Sequence, residues 1–107
     1  MVFYSKRSQR DFVRIFKGLL KWGTKNRQMR MTCKEVVNYR NDLYNKIQLI
    51  ADKKIHKKTI YEEHRKFGNF VYSYRRNQRT VWYFIYDIKQ NGDILIKKII
   101  SNYLTIK

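Results

Sequence analysis

Apolar residues recur along this chain in two periods, and the change between them divides it. Phe12, Ile15, Phe16, Leu19 and Leu20 stand one helical turn apart, the spacing of a single helix face. Ser5 or Ser8 can cap this helix, and Ser8 with Asp11 has the spacing of a capping box with Asp in place of Glu. Lys17 and Lys21 suit the negative end of the helix dipole, and Gly23 is a natural stop. A polar, basic loop, "GTKNRQMRM", follows at 23–31. Thr32 and Glu35 then form a capping box. Behind it Val36, Leu43, Ile47 and Ile50, joined by Val37, Tyr44 and Ala51, make a second stripe, which predicts an amphipathic helix of about five turns. Residues 54–68 have no clean period and read as a loop with a short strand or turn. From residue 69 the period becomes two. Phe70, Tyr72 and Tyr74 share one strand face; Val71, Ser73 and Arg75 share the other. Arg76-Asn77-Gln78-Arg79 is a turn. "TVWYFIYDI" (80–88) is apolar on both parities, as in a central strand. Asn91-Gly92 signals a hairpin, and "ILIKKII" (94–100) returns. "MVFY" opens the chain as a strand, and "SNYLTIK" continues past the last one.

The order is β-α-α-β-β-β. It predicts an α+β domain, with an antiparallel sheet packed against two N-terminal helices. The whole chain, 1–107, reads as one domain: it has no proline, no repeat and no linker-like tract.

Charge changes the picture most. Lys and Arg number 25 against 8 Asp and Glu, a net of +17, far more than solubility asks of a small domain. Such a field gathers polyanions, so nucleic acid is the leading partner and an acidic protein the next. Residues 1–31 carry net +8 and residues 54–80 net +6, whereas 32–53 carry +1 and 81–107 carry +2. The first and third blocks should therefore hold the binding surface. Cys33 is the single cysteine, so no internal disulfide forms. The start lacks a signal peptide's apolar stretch, and no apolar run spans a bilayer. The expectation is a cytoplasmic protein without a membrane partner.

Two phrases resemble the RelE/ParE superfamily, the small toxins of bacterial type II toxin–antitoxin systems. "YSKRSQRDFVRIF" (4–16) is similar to the family's opening strand and helix. "RRNQRTVWYFIYDIKQNGDILIKKI" (75–99) is similar to its ending, most closely in "YDI" (86–88) and "NGDILI" (91–96). The likeness covers nearly the whole chain in element order, size and basicity. It implies a cognate antitoxin, expected to be acidic, that wraps the basic surface. It also implies one of two activities. RelE-like members are mRNA interferases, endoribonucleases that cut mRNA on the ribosome and inhibit translation. ParE-like members inhibit DNA gyrase and cut nothing. A basic nucleic-acid-binding module without toxicity is the third reading.

Metal-free RNA cleavage needs an activated 2′-OH, a stabilised phosphorane and a protonated leaving oxygen. Arg75, Arg76 and Arg79 surround the first hairpin, and arginine's planar fork suits a phosphate; the alternative is a solvated turn. RelE-like enzymes often carry a functional Tyr or His past the last strand, which the resemblance transfers to Tyr103; otherwise Tyr103 covers the core. A tyrosine, with its pKa of about 10, acts as a base only where cations such as Lys97 hold its phenolate. His64, beside Glu63, titrates near neutrality, or is an ordinary surface histidine; His56 ranks below it. Lys57, Lys58, Arg65 and Lys66 are expected to give electrostatic footing. Tyr83 stands where many RNA-cleaving relatives have an arginine, and is expected to stack on a base if it is functional. Cys33 lacks a placed histidine, no Cys/His cluster suits zinc, and the four glycines form no phosphate loop. No metal or cofactor is expected.

Overall fold

A computed structural model describes residues 1–25, 33–53, 55–76, 78 and 80–101. Its elements are β1 (Val2–Tyr4), α1 (Lys6–Lys25), α2 (Cys33–Gln48) with a 3-10 turn at Leu49–Asp52, β2 (Lys57–Lys58), the single helical turn α3 (Glu62–Arg65), β3 (Phe70–Arg75), β4 (Val81–Ile88) and β5 (Ile94–Ser101). Five strands form one sheet in the order β1-β5-β4-β3-β2. The class is α+β, as the alternation of periods predicts.

The sheet is mixed rather than antiparallel. β2 to β5 pair antiparallel, but β1 runs parallel to β5, with Val2 opposite Ile94 and Tyr4 opposite Ile96. Three alternating residues carry no directional information. The direction follows from α1. The Ser5 N–H closes the parallel ladder on the Ile96 carbonyl at 2.9 Å, and the helix begins at the next residue. Helix α1 then brings Phe12 and Ile15 into the core with Ile94, Ile96 and Ile99 of β5.

Ser5, not Ser8, is the cap: its Oγ accepts the Ser8 N–H at 3.1 Å, and the Ser8 hydroxyl donates to the Ser5 carbonyl at 2.9 Å. Asp11 therefore closes no capping box. Its Oδ2 accepts the Ile99 N–H at 3.0 Å, and its Oδ1 meets Lys98 Nζ at 3.0 Å. This carboxylate takes over where β1 ends. Lys97 is an extra residue in β5, since Ile85 opposes Lys98 while Tyr86 opposes Ile96. Helix α1 runs through Gly23 to Lys25. Thr32 lies outside the described residues, as do most of the expected loop before it and the tail from 102 onward.

Helices α1 and α2 cover one face of the sheet. Leu43, Ile47 and Ile50 from α2 and its 3-10 turn meet Trp82, Phe84 and Tyr86 of β4, and Phe12 stacks on Tyr44 at 4.1 Å. The other face is partly covered by residues 59–68, the segment without a period. Thr59 holds its two ends together: its hydroxyl donates to the Gly68 carbonyl at 3.1 Å and its N–H to the Asn69 carbonyl at 3.0 Å. The Asn69 N–H donates to Asp87 Oδ1 at 2.8 Å. Gly68 presses on the sheet so closely that a Cβ would lie 3.0 Å from both Ile85 Cγ2 and the Tyr86 carbonyl oxygen. Ile85 is thereby buried on the face away from the helices. At the last hairpin Gly92 takes φ +90°, and no other described residue has positive φ. Asn91 is thus outside the left-handed region, and the loop is the three-residue kind with a glycine bulge rather than a two-residue Asn-Gly turn. Among the described residues, no helix is long and apolar enough to cross a membrane.

Candidate functional site

The two arginines that close β3 point to opposite sides of the sheet. Arg75 shares the outer face with Val71 and Ser73, opposite Val81. It is exposed, and its Nη1 donates to the Gln78 carbonyl of its own turn, at 3.2 Å. Arg76 turns toward the helices. Its Nη1 meets Asp42 Oδ2 at 2.6 Å, and its guanidinium lies 3.8 Å from the centre of the Tyr39 ring. The Tyr74 hydroxyl donates to the same Asp42 oxygen at 2.7 Å, and Trp82 Nε1 donates to the Tyr39 hydroxyl at 2.9 Å. Burial first, and then the Asp42 carboxylate, raise the Tyr74 phenol above its ordinary pKa. Arg76 thus ties the hairpin to α2. Arg79 and Tyr103 lie outside the described residues.

His64 is not on the surface. Its side chain is 3% exposed, because α3 lays the imidazole over Tyr83 at 4.9 Å, with Tyr61 edge-on at 5.3 Å. Its Nδ1 is buried without a hydrogen-bond partner. Burial holds the imidazole below its ordinary pKa, and Glu63 opposes this more weakly. The structure therefore brings together His64 and Tyr83, two residues the sequence nominated separately. It does so by covering one with the other. Tyr83 itself is half-buried.

The remaining cations are spread more widely, with Lys57 opposite Val71 on the outer face and Lys58 opposite Phe70 on the helix side. Lys57 and Lys58 are exposed on β2, and Lys66 is exposed after α3. Arg65 is exposed too, with its Nε donating to the Thr59 carbonyl at 3.3 Å. Lys97 sits at the bulge, half-buried, and its carbonyl accepts the Ser5 hydroxyl at 3.3 Å.

Sequence reasoning missed a neighbouring group. Phe67 is flanked by two cations, Arg7 at 5.1 Å and Lys98 at 5.3 Å from its ring centre. A hint existed: the first turn of α1 holds no acid, although the dipole favours one there. His56 packs on the other side of the sheet, beside Phe70 and Tyr86. Burial pushes the Tyr86 phenol up to about 12, and its hydroxyl shares a hydrogen bond with His56 Nδ1 across 2.6 Å. Among the described residues, no three or more His, Cys, Asp or Glu side chains converge to hold a metal ion. What the outer face and the segment covering it offer is an exposed guanidinium, the exposed Lys57, Arg65 and Lys66, and a half-buried tyrosine backed by an imidazole. That set can bind phosphates and stack a base. No protein-family model, curated protein or solved structure matches this chain.

Proposed function

We propose that this chain is a toxin of the RelE type that recognises messenger RNA on the ribosome, blocks translation and is neutralised by an acidic antitoxin. One observation carries the reading. The sheet face away from the helices and the segment covering it carry exposed basic groups, Arg75, Arg65 and Lys66, beside the Tyr83–His64 pair. The α+β architecture, whose elements run β-α-α-β-α-β-β-β, and the net charge of +17 agree with it.

On this reading Arg75 contacts a phosphate and Tyr83 stacks against a base. The test is induction of the chain in a bacterial host, with growth, pulse labelling and a map of RNA 5′ ends. Translation stops first, new 5′ ends appear within codons, and Arg75→Ala relieves the arrest. Arrest without new ends, preceded by DNA damage, sinks the cleavage reading. The burial of His64 favours a second reading. A face rich in cations, with its histidine shielded, suits a toxin that binds and blocks, as a ParE-like gyrase inhibitor does; DNA damage as the first event supports it.

A further inference from the structure

The helix-side flank of β3 carries a second set of rings and cations, on the opposite side of the sheet from Arg75 and Tyr83. Phe70, Tyr72 and Tyr74 follow one another there, all half-buried. Each has a basic group against it. The His56 ring lies 6.0 Å from Phe70. Lys53 Nζ lies 4.6 Å above Tyr72, and Lys46 Nζ lies 5.3 Å above Tyr74. The three basic groups come from three different places: the loop before β2, the end of the 3-10 turn and the last turn of α2. β2 spans only two residues, opposite Phe70 and Val71, so Tyr72 and Tyr74 stand at the margin of the sheet.

Three features set this row apart from lysines that merely cover aromatic surface. First, its period is that of the strand: alternate residues stand about 6.6–6.8 Å apart, comparable with the step between neighbouring phosphates in an extended single strand. Second, no described carboxylate forms an ion pair with Lys46 or Lys53. Asp42, the acid bonded within this row, is held by Arg76 and Tyr74. Third, an ammonium resting on a ring is partly fixed before any anion arrives, which lowers the cost of binding. The three rings pack against the core with part of each left exposed, and aromatic rings set in a row with cations are how proteins hold single-stranded nucleic acid without reading its sequence.

We infer that the row Phe70, Tyr72, Tyr74 with His56, Lys53 and Lys46 is a track for about three nucleotides of single-stranded RNA, separate from the outer face. The inference rests on the reading that RNA is the target. On that basis the RNA passes the sheet margin and is held on both of its sides.

The test uses the full chain and a fluorescein-labelled twelve-nucleotide uridine RNA, followed by anisotropy across a salt series. The double variant Lys46→Gln/Lys53→Gln weakens binding about tenfold, and its salt slope falls by roughly 1.4, the value for two lost phosphate contacts on a single strand. Tyr72→Leu weakens binding severalfold and leaves the slope unchanged. Melting curves confirm that each variant is folded. A readout on the wild-type chain needs no variant: 4-thiouridine RNA cross-links to peptides containing Tyr72 or Tyr74. If Arg75→Ala loses binding while the lysine variant binds like wild type and cross-links fall only near Tyr83, the track is refuted and the RNA reading stands. If the wild-type chain does not bind the RNA at all, the RNA reading fails and the track with it. A thymidine twelve-mer run in parallel binds more weakly if the track is built for RNA; equal binding overturns that choice of ligand.

Discussion

Asp11 holds the last strand to the first helix with one carboxylate. It is buried, and it satisfies both the Ile99 N–H and the Lys98 ammonium. Removing it leaves the buried Ile99 N–H and the half-buried Lys98 ammonium unmatched. Asp11→Ala should therefore cost on the order of 3 kcal/mol, the range for breaking a buried pair from one side. Asp11→Asn keeps an acceptor for the backbone and should cost less than half as much; urea unfolding of both variants measures the difference. His64 makes a different prediction because its group lies below its ordinary pKa. The unfolded chain takes up a proton near pH 6.5, whereas the folded chain resists it. Stability is therefore fully present above about pH 6.5 and is lost as the pH falls toward the folded value. His64→Phe keeps a ring against Tyr83 and removes the unpartnered nitrogen. Its urea midpoint should change less than wild type's between pH 7.5 and 5.5, and equal changes would clear His64 of the acid sensitivity. Neither role was readable locally. His64 sits in "EEHRK", which reads as surface, and only Tyr83, far along the chain, buries it. Arg76 left a fainter signal: continuing the parity of Phe70, Tyr72 and Tyr74 by one step puts it on the helix side. The sequence offers nothing that names Asp42 as its partner.

At the scale of elements, three glycines separate three kinds of constraint. Gly18 lies inside α1 with nothing within 4 Å of an added Cβ. Gly18→Ala should stabilise by about 0.5–1 kcal/mol through helix propensity alone. Gly92 needs its positive φ, and Gly92→Ala should cost about 1 kcal/mol or more. Gly68 is constrained by space: a Cβ there meets a backbone carbonyl of the central strand, which has no room to yield. Gly68→Ala should cost about 1–3 kcal/mol. It should also speed hydrogen exchange across 59–69, because that segment must lift off the sheet. Thermal melts rank the three, and Gly68→Ala without a change in exchange would mean that the segment is not pinned there. These contrasts explain what was legible. Stripes of period 3.6 marked both long helices and a period of two marked β3, because each buries one face on a common core, whereas β4 was marked by being apolar on both parities, and Phe84, Ile85 and Tyr86 are all buried. Segment 54–68 had no period because hydrogen bonds from Thr59 and Asp87 and one close glycine contact hold it, not a stripe. The direction of β1 was hidden too, since it depends on where the next helix must go.

For the whole molecule the excess of 17 positive charges acts on folding and on binding with opposite signs. The molecule measures 47 × 26 × 26 Å. The screening length is about 30 Å at 0.01 M salt and about 10 Å at 0.1 M. At the lower concentration it exceeds the short dimensions, so every cation repels nearly every other and the compact state is penalised. At the higher one only neighbours interact. The melting temperature should therefore rise steeply between 0.01 and 0.1 M sodium chloride and flatten beyond. On the proposed function, RNA affinity should fall over the same interval, because bound phosphates then compete with more salt. Sodium sulfate at matched ionic strength separates screening from site binding. Superimposed melting curves mean that the charge acts only as a diffuse field. A larger rise in sulfate means that defined groups hold the dianion, and Arg75→Ala or Lys46→Gln/Lys53→Gln then shows on which face, by removing the excess. A melting temperature that does not respond to salt would contradict the repulsion argument itself. It would mean that the surplus cations stand too far apart to act on one another, so that neither face concentrates the charge that holding RNA requires.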